Sequence, residues 1–142
     1  MSTGTWVQVG KLRIAVLEAT SPLLQDLVVC GHNRDYLAVL AWPDVERCRE
    51  VAGVASDDDL TVLIRSQEVL SRVREGLQDY NARNKGSSTR VERVLLMTEP
   101  PDMDANEITD KGYVNQRACL ENRSDLVARL FADPPDADVI VV

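Results

Sequence analysis

Histidine is almost missing from this 142-residue chain: His32 stands alone, so neither a histidine-rich metal site nor a choice of catalytic triads is available. Cysteine is scarce as well. Cys30, Cys48 and Cys119 form an odd set without C-x-x-C spacing, which argues against a disulfide framework or a zinc knuckle and fits a reducing cytoplasm. No apolar run is long. Leu27-Val28-Val29-Cys30 and Val139-Ile140-Val141-Val142 fall far short of the roughly 20 residues that cross a bilayer, so no membrane partner is expected. Met1 to Trp6 lacks the basic and apolar regions of a signal peptide. Basic charge is also in deficit: a formal net charge of -7 argues against a nucleic-acid partner. What remains is 44% apolar and 27% charged, enough to bury a core in one domain.

Periodicity gives the elements. Thr5 to Ile14 reads as two short strands turned at Gly10-Lys11, followed by a helix from Ala15 to Leu24. Asp26 to Gly31 and Tyr36 to Trp42 are β-rich runs joined by the polar stretch His32-Asn33-Arg34-Asp35, a hairpin pattern. Pro43-Asp44 ends the second run and opens a helix with Val45, Cys48 and Ala52 on one side. Leu60, Leu63, Ile64, Leu70, Val73, Leu77 and Tyr80 follow three-and-four spacing, with Ser56 as N-cap and Asp57-Asp58-Asp59 at the positive end of the helix dipole. Val91 to Met97 is a further strand. An irregular acidic loop runs from Glu99 to Gly112, and Asn115 to Phe131 returns to helix. Asp133-Pro134-Pro135 closes the domain, leaving 134–142 as a tail. The expected class is α+β, a small mixed sheet with hairpins packed on about four helices.

Few residues offer chemistry. Cys30 and His32 stand two apart, but an extended backbone seldom aims both at one point, and they read as a core residue and a turn residue. Asp102, Asp104, Glu107 and Asp110 lack the glycine and terminal glutamate of a calcium loop and read as solvated, so no metal site is expected. Gly86-Ser87-Ser88-Thr89-Arg90, beside Lys85, is either an anion nest or a helix cap with a polar turn. Lysine is rare (Lys11, Lys85 and Lys111), while arginine is abundant. Lys111 lies in a loop between a strand and a helix, where a compact cation on a long stem can reach a phosphate or carboxylate oxygen.

Three stretches together carry a resemblance: Ser2-Thr3-Gly4-Thr5-Trp6-Val7, Gly86-Ser87-Ser88-Thr89-Arg90 and, most specifically, Glu107-Ile108-Thr109-Asp110-Lys111-Gly112-Tyr113-Val114-Asn115-Gln116-Arg117. Over residues 1–133 the chain resembles the C-terminal lid domain of adenylate-forming acyl-CoA synthetases, most closely the feruloyl-CoA synthetase branch. The resemblance implies a ligase that joins an aromatic carboxylic acid to ATP, giving an acyl-adenylate and pyrophosphate, and then passes the acyl group to coenzyme A with release of AMP. It implies that Lys111 is the adenylation lysine, that Gly4, Thr5 and Trp6 form a strand turn beside the CoA tunnel, and that Lys85 and Arg90 meet CoA phosphates. The superfamily usually has glycine just before this lysine. Here Asp110 precedes it and Gly112 follows. The Ser/Thr/Gly-rich phosphate loop and the acyl pocket are not in this sequence. The resemblance therefore implies an excised domain whose partner is its own N-terminal adenylating domain, which would bind ATP with Mg, and which is inactive without it. The competing expectation is a free-standing, non-catalytic interaction module, suggested by the missing nucleotide site and the acidic composition.

Overall fold

The computed structural model describes residues 2–21, 23–31, 36–53, 60–84 and 90–142. Along these run α1 (Ser2–Ala19), β1 (Leu24–Cys30), β2 (Leu37–Pro43), α2 (Val45–Ala52), α3 (Leu60–Leu63), α4 (Gln67–Arg83), β3 (Val91–Leu96), α5 (Gln116–Asn122), α6 (Ser124–Leu130) and β4 (Val139–Val141). The strands lie in the order β1-β2-β3-β4, with the central pair parallel and both outer pairs antiparallel. The α+β class with a mixed sheet is as expected. None of the described helices is long and apolar enough to cross a membrane.

Every residue of β2 is buried, because helices cover both faces of the sheet. Leu27, Val29, Val39, Ala41, Val94 and Leu96 face a layer built from α1, α2 and α4, where Val69, Val73, Leu77 and Tyr80 form the buried stripe of α4. Val28, Ala38, Leu40, Trp42, Leu95 and Met97 face the other layer, with Cys119 of α5 and Leu130 of α6. The alternation breaks twice: in β1 the register shifts at Gln25, so Leu24 and Leu27 turn to the same layer, and it shifts again in β3. Leu37 pairs with Val91 but Ala38 pairs with Arg93, so Glu92 is an extra residue and Val91 and Val94 turn to the same layer.

The β1–β2 hairpin, α2, α4 and β3 form where the sequence places them, and Asp44 caps α2 by accepting from the Arg47 amide at 3.3 Å. Four readings change. The strands expected across Thr5 to Ile14 are part of α1, and Gly10 sits inside that helix rather than at a turn. Leu12, Val16 and Thr20 recur every four residues and are buried, so a helical stripe outweighs the β-branched residues around it. The helix expected to run unbroken through Leu60 to Tyr80 stops after Leu63, and α4 starts afresh at Gln67; Ser56 and Asp57-Asp58-Asp59 lie outside the described residues. The helix expected over Asn115 to Phe131 divides at Arg123 (φ -112, ψ 33) into α5 and α6. Finally, the segment read as a tail contributes β4, in which Val139 and Ile140 are buried and pair with Leu95 and Val94.

Candidate functional site

The segment between β3 and α5 has almost no regular structure, yet it is held at many points. Ile108 and Val114 form an antiparallel bridge, the Thr109 amide donates to the Tyr113 carbonyl at 2.9 Å, and the Gly112 amide donates to the Thr109 carbonyl at 3.0 Å. Gly112 has φ +86. This is a hairpin whose three-residue loop, Asp110-Lys111-Gly112, closes through a left-handed residue. Glycine follows the lysine because that position requires positive φ. The Thr109 hydroxyl also accepts the Tyr113 amide at 3.1 Å. Lys111 is exposed at the tip, beside Tyr113 at 70% exposure.

Beneath the hairpin lies a buried ion pair. Glu107 is 2% exposed and Arg123 8%. The guanidinium grips the carboxylate at two points, Nε to Oε2 and Nη2 to Oε1, both at 2.9 Å. Nη1 also donates to the Glu99 carbonyl at 3.2 Å and Nη2 to the Pro100 carbonyl at 3.0 Å, and Cζ lies 5.5 Å from the Trp42 ring centroid. Glu107 Oε1 also accepts the Asp102 amide at 2.9 Å, and the Glu107 carbonyl accepts the Asn115 amide at 2.8 Å. Hydrogen bonding from Arg123 holds the Glu107 carboxyl below its ordinary range, and the same contact raises Arg123. Glu107 is therefore not the solvated loop acid expected. Burial without its partner would be costly, and that partner lies 16 residues further along the chain.

A groove of ≈ 450 Å³ opens beside the hairpin. Ile108, Gly112 and Val114 of the hairpin line it, together with Trp42, Pro43 and Met97. Trp42 is fixed by its indole N–H donating to the Glu99 carbonyl at 2.8 Å. An exposed cation, a hydrogen-bonded hairpin and an apolar slot thus lie side by side at one end of the sheet.

The other candidates separate. Gly4, Thr5 and Trp6 belong to α1, not to a strand turn, and their side chains are not among those described. Lys85, like most of the glycine-serine stretch, lies outside the described residues. Arg90 is at hand but pairs with Glu92, Nε to Oε1 at 3.3 Å. Cys30 is buried and donates to the Val28 carbonyl at 3.7 Å, while His32 lies outside the described residues. No group of three His, Cys, Asp or Glu that could hold a metal occurs among the described residues. The ion pair and the groove were not foreseen from the sequence. The available signal was a glutamate in an aspartate-rich loop, followed at once by apolar Ile108.

Residues 1–134 match the family described as AMP-binding enzyme C-terminal domain. Two solved structures share the fold at 20% identity: the A domain of carboxylic acid reductase from Segniliparus rugosus in complex with AMP and a co-purified carboxylic acid (TM-score 0.63), and the A-PCP didomain of that reductase in complex with AMP (TM-score 0.62). The alignments cover 89% and 88% of this chain but only 18% and 16% of those chains. No curated protein matches in sequence.

Proposed function

Since the chain belongs to the AMP-binding enzyme C-terminal domains, we propose that it is the lid of an adenylate-forming acyl-CoA synthetase, with Lys111 as the adenylation residue. The observation that carries this reading is the lysine's placement: an exposed ammonium at the tip of a hairpin whose base is locked in the domain. As the carboxylate attacks the α-phosphate, negative charge spreads over oxygens of both groups. A cation already aimed at that region stabilises the developing charge without reorganising as the bond forms. It also holds the two reactants in line. The partner is an N-terminal adenylating domain, which supplies the binding of ATP with Mg and of the acid. The reductase A domain, similar in fold, is a complex with AMP and a carboxylic acid, which supports a carboxylate and a nucleotide as reactants. Coenzyme A as acceptor, with Gly4, Thr5 and Trp6 near its tunnel and Lys85 and Arg90 near its phosphates, is proposed from the sequence resemblance. Arg90 would have to exchange Glu92 for a phosphate. An aromatic, feruloyl-like acid is proposed on the same ground. The three free cysteines, all buried, suit a reducing cytoplasm.

Lys111→Ala is the test, made in the enzyme that carries this chain with its adenylating domain. Pyrophosphate exchange should fall by about 10²–10³-fold, while thioester formation from supplied acyl-adenylate stays near wild type. An equal fall in both half-reactions, or a fall in neither, removes the role given to Lys111.

A further inference from the structure

The Lys111 hairpin is joined to β3 and α5 by loop alone, so its aim depends on whatever fixes its base. We propose that Glu107 and Arg123 are the positioning residues for Lys111, a buried pair that sets where the ammonium is presented. Glu107 lies next to Ile108, the first residue of the hairpin bridge, and its carbonyl accepts the amide of Asn115, the residue after the bridge partner Val114. Both legs of the hairpin therefore meet at Glu107. Its carboxylate is held by Arg123, at the junction of α5 and α6, so the hairpin is referenced to the helical layer rather than to solvent. Arg123 also binds the carbonyls of Glu99 and Pro100, where the chain leaves β3. A single guanidinium thus ties together the start of the loop, the base of the hairpin and the start of α6. The break between α5 and α6 falls at the residue that makes these contacts.

The effect on adenylation rests on the ligase reading; the effect on the hairpin does not. Backbone ¹⁵N relaxation on this chain separates the two, using Arg123→Lys, which keeps the charge but loses the two-point grip, and Glu107→Gln. In wild type, the amides at 109–113 should be as ordered as those of β2, with order parameters of about 0.85. In the variants they should fall toward about 0.6 while β2 stays unchanged. In the enzyme carrying the adenylating domain, kcat for adenylation should fall by about 10²-fold at unchanged KM for acid and ATP. A hairpin already mobile in wild type overturns the proposal, as does one that stays rigid in a folded variant. Loss of the whole fold in both variants also overturns it, since the pair would then build the domain rather than aim the loop. A loosened hairpin with an undiminished adenylation rate supports the positioning role and removes the ligase role of Lys111 instead.

Discussion

Glu107 is an acid that stays charged in the interior because an arginine meets it at two points. Its carboxyl is held below its ordinary value, so the folded state binds a proton less readily there than the unfolded chain does. The stabilisation it confers is complete above the unfolded value of about 4.3 and is lost as pH falls through the lower folded value. Urea unfolding followed across that acid range should show wild-type stability falling as pH drops, and Glu107→Gln should remove this carboxyl's contribution to that slope. At neutral pH the same substitution should cost about 3–5 kcal/mol, because it leaves the Arg123 charge buried without its partner. This part of the site is hard to read from sequence. A glutamate among aspartates carries the composition of a solvated loop, and burial is decided by a residue on another element. Lys111 is proposed on the opposite kind of signal: lysine is rare here, and its place in a specific local stretch needs no distant contact to be noticed.

Among the elements, α4 meets the end of α1 at Gly76. A Cβ at Gly76 would stand 2.5 Å from the Ala19 carbonyl oxygen, which is backbone and cannot swing aside. Gly76→Ala should therefore destabilise by about 1–3 kcal/mol despite alanine's better helix propensity, measurable as a lowered urea midpoint at unchanged slope. Elements with continuous apolar runs or a clean three-and-four stripe, such as β2 and α4, follow from local pattern. α1 does not, because Val7 and Val9 suggest alternation while the stripe that decides the matter, Leu12 to Thr20, lies further along. The division at Arg123 is invisible locally, since arginine is a good helix former and the break answers to Glu107 and the β3 exit. β4 is three residues long and gains its order from the edge of β3, which no window over 134–142 contains. At the opposite edge, the Gln116 side chain donates to the Leu27 carbonyl and accepts the Val29 amide, both at 2.9 Å, filling the place of a neighbouring strand.

At the scale of the whole molecule, one sheet carries two separate apolar layers, and the cysteines sample both. Cys48 lies on the α1–α2–α4 side, and Cys30 and Cys119 lie on the α5–α6 side. Burial is the main cause that raises the thiols of Cys48 and Cys119 to about 11. Near pH 8 these two should resist a thiol reagent in the folded protein and become reactive together as urea unfolds it, with one shared transition. Labelling of Cys119 well before Cys48 would show the two layers opening independently.

The fork of Arg123 has a mechanical consequence. A cation on a slack loop could reach for its target like a bending finger, but the backbone that carries Lys111 is tied, through Glu107, to the slab of sheet and helices. In the proposed lid, any journey of that loop toward a distant reaction centre is then a journey of the entire slab, as a knocker travels only when the door swings.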